Sequence, residues 1–141
     1  MDLSVKWNGK MAFTGVTLTG HNVVMDADKD VGGENGGARP TEMLLNAVAG
    51  CTGMDIISIL QKMRLQPIKF EMNVEGQKAE SHPKKFTAIH IHYELEGELP
   101  EKKVVQAIQL SKNNYCSVAH SLSTNITVSY AINGIEGRKA I

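Results

Sequence analysis

Between Pro40 and Met63 the chain carries apolar side chains at almost every angle a helix can present them. Met43, Leu44, Leu45, Ala47, Val48, Cys51, Met54, Ile56, Ile57, Ile59 and Leu60 cover nearly the whole circumference. Proline is favoured at the first helical position, so Pro40 marks the start. A helix that is apolar all round has to be buried on all sides. A chain of 141 residues can hardly bury such a helix alone, so the segment points to a second subunit that covers it. Asn46, Thr52 and Asp55 interrupt the stretch, and it does not read as a membrane span.

On both sides of this helix the apolar period changes from helical to two, the period of strands. Leu3–Trp7, Met11–Leu18 and Asn22–Asp26 are separated by turns at Asn8-Gly9 and Gly20-His21-Asn22, which predicts a β-meander. Asp28–Arg39 is polar and glycine-rich and reads as a flexible loop beside the helix start. Ile68–Glu75 and Phe86–Leu95 alternate as strands, joined by a charged connection. Glu98-Leu99-Pro100 leads into a second helix, Glu101–Ser111, which Asn113-Asn114 breaks. Tyr115–Leu122 reads as a short third helix, Ile126–Ile132 as a last strand and Asn133–Ile141 as a loose tail. Strands and helices are partly segregated, so the expected class is α+β, one domain over residues 1–141.

Charge narrows the function. Fifteen acidic residues balance fifteen basic ones, which leaves no electrostatic footprint for nucleic acid or an anionic membrane. No basic, apolar, small-residue leader opens the chain, so the expected compartment is the cytoplasm. There, two cysteines in one chain point to redox chemistry or metal binding rather than a structural disulfide.

The two cysteines are Cys51, inside the apolar helix between Gly50 and Gly53, and Cys116, at the start of the short helix after Asn113-Asn114-Tyr115. The reactive form of cysteine is the thiolate, favoured by a helix N-terminus or a nearby cation. Cys116 has the first if Asn114 caps its helix, which on that ground alone makes it the more acidic thiol. Arg39 is the best cation candidate for Cys51, and its fixed donors suit an oxygen-rich substrate. One thiolate beside a second thiol can reduce a peroxide in two steps, through a sulfenic acid and then a disulfide. That requires Cα atoms roughly 4.4–6.8 Å apart. Cys116 and His120 share a helix face and with Cys51 would offer three metal ligands, although zinc sites use tighter paired spacings. His90 and His92 alternate on a strand and read as a polar face.

Arg39-Pro40-Thr41-Glu42-Met43-Leu44-Leu45-Asn46-Ala47-Val48-Ala49-Gly50-Cys51-Thr52-Gly53-Met54-Asp55, together with Tyr115-Cys116-Ser117-Val118-Ala119-His120-Ser121-Leu122, resembles the two cysteine motifs of the OsmC/Ohr family of peroxide-reducing stress proteins. The resemblance covers nearly the whole chain. It implies antiparallel sheets around a long central helix and an intertwined homodimer with two active sites at the subunit interface. It implies reduction of hydroperoxides, organic ones in preference, with Cys51 attacking and Cys116 resolving. No cofactor is implied; the partners are a small hydroperoxide and an external dithiol that restores the thiols. The family pairs its catalytic arginine with a glutamate just after the helix-starting proline. Here that position is Thr41 and the carboxylate follows at Glu42, about 100° further round the helix. Arg39 and Glu42 are therefore the candidates for that pair. The shifted carboxylate favours the alternative, a non-catalytic dimer of the same fold that senses oxidation or binds an apolar ligand.

Overall fold

The computed structural model describes residues 1–141. The chain divides into two compact units, Met1–Leu44 and Leu45–Ile141.

The first unit is the expected meander. Strands β1 (Leu3–Trp7), β2 (Phe13–Thr17) and β3 (Asn22–Met25) pair antiparallel in that order. The first hairpin turns through Gly9 and Lys10, both at positive φ, and closes with the Asn8 N–H on the Ala12 carbonyl. The glycine-rich segment that follows is built more closely than its composition suggests. It wraps the buried Asp26 carboxylate, which accepts the N–H groups of Ala27, Glu34 and Gly36. Those of Gly36 and Ala27 do most to hold the Asp26 pKa below the ordinary carboxylate value. Two of its glycines answer close approach: a Cβ at Gly33 would sit 2.1 Å from the Ala27 carbonyl oxygen, and one at Gly37 2.6 Å from that of Val24.

The second unit is a sheet with helices against it. Its strands are β4 (Lys69–Lys78), β5 (Phe86–Glu96), β6 (Asn125–Ile132) and β7 (Ile135–Glu136), in that order. The pairing is antiparallel except between β5 and β6, which run parallel. The reason is the crossover: parallel neighbours need a long connection, and helices α2 (Glu101–Leu110) and α3 (Ser117–His120) occupy it. Along β5, Ile89, Ile91, Tyr93 and Leu95 are buried, whereas His90 and His92 bond to Thr127 and Ser129 across β6.

Helix α1 runs Pro40–Lys62, close to the expected span. It is not buried on all sides by its own chain. Val48, Thr52, Ile56 and Leu60 form a buried stripe at four-residue spacing, while Met54 is 76% exposed. Three of those side chains are apolar, and removing each from water is worth roughly 1.5–3 kcal/mol. By length and composition α1 could cross a membrane, but this stripe is occupied by the protein's own core.

Two expectations change near the end of the chain. Asn113-Asn114 do not break the second helix; residues Ser111–Tyr115 continue it as one π-helical turn. The expected tail is pinned: the Gly137 N–H reaches the Tyr130 carbonyl, and the Lys139 N–H reaches the Tyr130 hydroxyl, which donates to Glu101.

Ile56 is fully buried at the centre of the α1 stripe. Replacing it with alanine is expected to lower unfolding stability by about 2–5 kcal/mol. Urea titration checks this as a lower midpoint at unchanged slope.

Candidate active site

Cys51 belongs to α1 and borders the buried stripe, one residue before Thr52. Cys116 stands between the π-turn and α3, and is 1% exposed. Both thiols are free, and the fold brings them together. The Cys51 sulfur, the Cys116 sulfur and a carboxylate oxygen of Asp55 all lie within 4.8 Å of one another.

The expected cap at Asn114 is replaced. Asn114 lies inside the π-turn, and Cys116 itself is the N-cap of α3, its sulfur accepting the Ala119 N–H at 3.4 Å. The π-turn is what allows this. A turn closed five residues apart carries the Cys116 N–H to the Ser111 carbonyl at 2.9 Å.

The two thiols have opposite environments. Partial burial disfavours the Cys51 thiolate, but the nearby Val118 N–H, Cys116 thiol and Ser117 hydroxyl favour it and together hold its pKa below the ordinary thiol value. The Ser117 oxygen is 3.8 Å away. Burial pushes the Cys116 thiol up to about 11; the Ala119 N–H offsets this in part, and the neighbouring Cys51 sulfur and Asp55 carboxylate add to it. The expectation from the helix end alone, that Cys116 is the more acidic, is thus reversed. The short helix serves both sulfurs, and depth decides between them.

Behind Cys116 lies a cavity of about 160 Å³. Val48, Ile91, Ile126 and Val128 give it apolar walls, and Thr52, Tyr93, Lys112 and His120 supply polar atoms. A volume of this order accommodates a group the size of benzene.

Arg39 and Glu42 meet at the start of α1, in a different manner from the expected side-chain pair. Glu42 accepts the backbone N–H of Arg39 at 3.0 Å, and the Met43 N–H bonds the Arg39 carbonyl. This is the carboxylate half of a capping box: Arg39 is the N-cap and Glu42 the third helical residue. The Arg39 guanidinium bonds the Asn35 side chain and the Gly37 carbonyl, and pairs with Asp28 at 3.6 Å.

His120 lines the cavity but does not join the sulfurs; Asp55 takes that place. The resulting three donors are one short of a closed structural zinc site. Asp55 is a site residue that the cysteine motifs do not by themselves single out. It lies four after Cys51, a spacing that puts two side chains on one helix face. Its carboxylate accepts the Ser111 hydroxyl at 2.9 Å, Ser111 bonds Thr52 at 2.9 Å, and Thr52 bonds Tyr93 at 2.8 Å. Burial pushes the Tyr93 phenol up to about 12, so it stays a hydroxyl.

An α+β fold with a thiol pair between a long helix and a short one is the arrangement of a known class. The sequence matches the family described as OsmC-like protein over residues 32–131, and the chain belongs to that family. It is 36% identical to the protein YhfA of Escherichia coli over 135 residues, covering 94% of this chain and 98% of YhfA. Among solved structures it is similar to a hypothetical protein from Aquifex aeolicus, with TM-score 0.82, 30% identity and coverage of 94% and 95%. It also resembles the organic hydroperoxide resistance protein OsmC of Legionella pneumophila, with TM-score 0.66, 16% identity and coverage of 94% and 96%, a likeness of fold.

The contrast between the thiols predicts their order of alkylation. With its pKa lowered, Cys51 ionises, and so reacts with iodoacetamide, at lower pH than an ordinary cysteine. Cys116 stays silent until the pH approaches about 11. Removing a donor to the thiolate raises a thiol pKa, so Ser117→Ala moves the Cys51 profile to higher pH. Peptide mass spectrometry across a pH series reads all three.

Proposed function

We propose that the protein is a thiol-dependent peroxidase of organic hydroperoxides, acting as a homodimer. The observation that carries this reading is the pair of free thiols within 4.8 Å, one held toward the thiolate and the other kept protonated. The Cys51 thiolate attacks the terminal peroxide oxygen, the O–O bond breaks, and the alkoxide leaves as the alcohol by taking up from solvent the proton that Cys51 released on ionising. Cys51 becomes a sulfenic acid. Cys116 condenses with it, forming a disulfide and water, which protects Cys51 from over-oxidation. An external dithiol restores both thiols by exchange. No metal or organic cofactor takes part.

In this reading Arg39 holds the peroxide oxygens, and Glu42, by fixing the Arg39 main chain, positions it. The name of the Legionella relative supports the choice of substrate. The homodimer is supported by what the single chain leaves uncovered: Met54, Ile57, Phe70 and Met72 line an open apolar surface, and Leu3, Val5 and Trp7 are exposed along β1. The compartment we assign is the cytoplasm.

The engagement of the Glu42 carboxylate by a main-chain N–H favours one other reading, a dimer that senses oxidation or binds an apolar ligand without turnover. Consumption of an alkyl hydroperoxide with a dithiol reductant separates the two. Wild type is expected to turn over, Cys51→Ser to fall to the uncatalysed background, and Cys116→Ser to stop after one equivalent unless the reductant replaces the resolving thiol. Wild type no faster than Cys51→Ser sinks the enzyme reading. For the dimer, sedimentation of wild type is expected to give twice the chain mass, and Met54→Asp to shift it toward the monomer.

A further inference from the structure

The first step of this chemistry leaves one group unexplained. Asp55 puts a negative charge beside both sulfurs, which opposes thiolate formation at Cys51 and at Cys116 alike. A carboxylate in that position works against the attacking thiol, yet three hydroxyl residues, Ser111, Thr52 and Tyr93, are arranged to keep it there.

Counting protons shows how it is kept. An ionised carboxylate only accepts, so the single Ser111 hydroxyl proton points to Asp55. Ser111 can then bond Thr52 only by accepting, so the Thr52 hydroxyl donates to Ser111. Thr52 in turn accepts from Tyr93. The chain Tyr93, Thr52, Ser111, Asp55 therefore runs in one direction and ends on the carboxylate. Thr52, Ser111 and Tyr93 are buried, and no buried side-chain polar atom lacks a partner. The Ser111 hydroxyl thereby orients the Asp55 carboxylate, which keeps further lone pairs free to accept. A carboxylate oxygen lies within 4.8 Å of both sulfurs, a separation that a rotating S–H or one water bridges.

We propose that Asp55 is the proton acceptor of the resolving step, taking the Cys116 proton as Cys116 attacks Cys51 and returning it to the departing oxygen. The step balances. The Cys116 S–H proton passes to the carboxylate, the Cys116 sulfur bonds the Cys51 sulfur, and the Cys51 S–O bond breaks. The oxygen leaves as hydroxide and takes the proton back from Asp55 as water. Cys51 is reduced from sulfenic acid to the disulfide level while Cys116 is oxidised to it. The buried thiol, unlike Cys51, has no arrangement of donors strong enough to ionise it, so a local base is what it lacks. The role of Asp55 in peroxide turnover rests on the peroxidase reading, but its action on Cys116 can be measured without peroxide.

The test uses an aromatic disulfide that releases a coloured thiolate, 5,5′-dithiobis(2-nitrobenzoate), on the reduced full chain. Cys51 attacks it and releases one thiolate; Cys116 then attacks the mixed disulfide at Cys51 and releases a second. Asp55→Asn keeps the side-chain shape and an oxygen that can accept from Ser111, but removes the base. The first release is expected to be as fast or faster, because a repelling charge is gone, and the second at least about tenfold slower. Asp55→Glu is expected to recover part of the second rate. A second release in Asp55→Asn as fast as in wild type, or faster as charge removal alone would make it, overturns the proposal. Equal slowing of both releases overturns it too, since it reports structural damage. With an alkyl hydroperoxide, the same variant is expected to prolong the Cys51 sulfenic acid, detected by dimedone labelling. If wild type forms no sulfenic acid, the peroxidase reading fails, while the two-release measurement still decides the action of Asp55 on Cys116.

Discussion

Ser111 is fully buried and uses both its main chain and its side chain to join the parts of the site. Its carbonyl accepts the Cys116 N–H and fixes where the second thiol begins. Its hydroxyl lies between Asp55 and Thr52 on α1. A buried hydroxyl without partners would cost about 1–3 kcal/mol, so the bonds specify one register of the π-turn against α1. Other registers would strand three hydroxyls and a carboxylate. The thiols meet because this polar network has one arrangement in which every group is satisfied.

Apolar burial supplies the rigidity behind that network. The stripe Val48, Thr52, Ile56, Leu60 turns α1 so that Cys51 and Asp55 both border the buried face. Residues one position away are fixed in depth by the helix period alone. That is why Cys51 is half-buried and accessible while Cys116, arriving from the crossover, is sealed. The difference in acidity between the thiols is a difference in depth, set by packing and refined by which N–H points where.

Much of this was legible in the sequence, for physical reasons. Strands with clean alternation, such as β5, and a helix opened by proline declare themselves through local side-chain patterning. The cysteine motifs identify the thiol pair, and the four-residue Cys51–Asp55 spacing is the one sequence signal for the carboxylate beside it. What could not be read was non-local. The parallel β5–β6 pairing depends on where a crossover lands, and the π-turn depends on buried partners for Ser111, which no composition rule supplies. Asn113-Asn114 looked like a helix break because asparagine competes for backbone hydrogen bonds; here tertiary contacts overrode that preference. The glycines before Arg39 suggested mobility but serve close packing round Asp26.

The π-turn has an evolutionary side. Relative to an α-helix, it holds one extra residue within a single turn, so Cys116 owes its position to an irregularity in helix winding. Loss of any one residue from 111–115 would let the turn relax to ordinary α geometry and swing everything after it by about 100°. A lineage could thus gain or abandon the second thiol's contact through one codon's insertion or deletion, leaving both cysteines in the sequence. A relative that kept both cysteines but lost a residue across this turn would share the sequence signature without sharing the site.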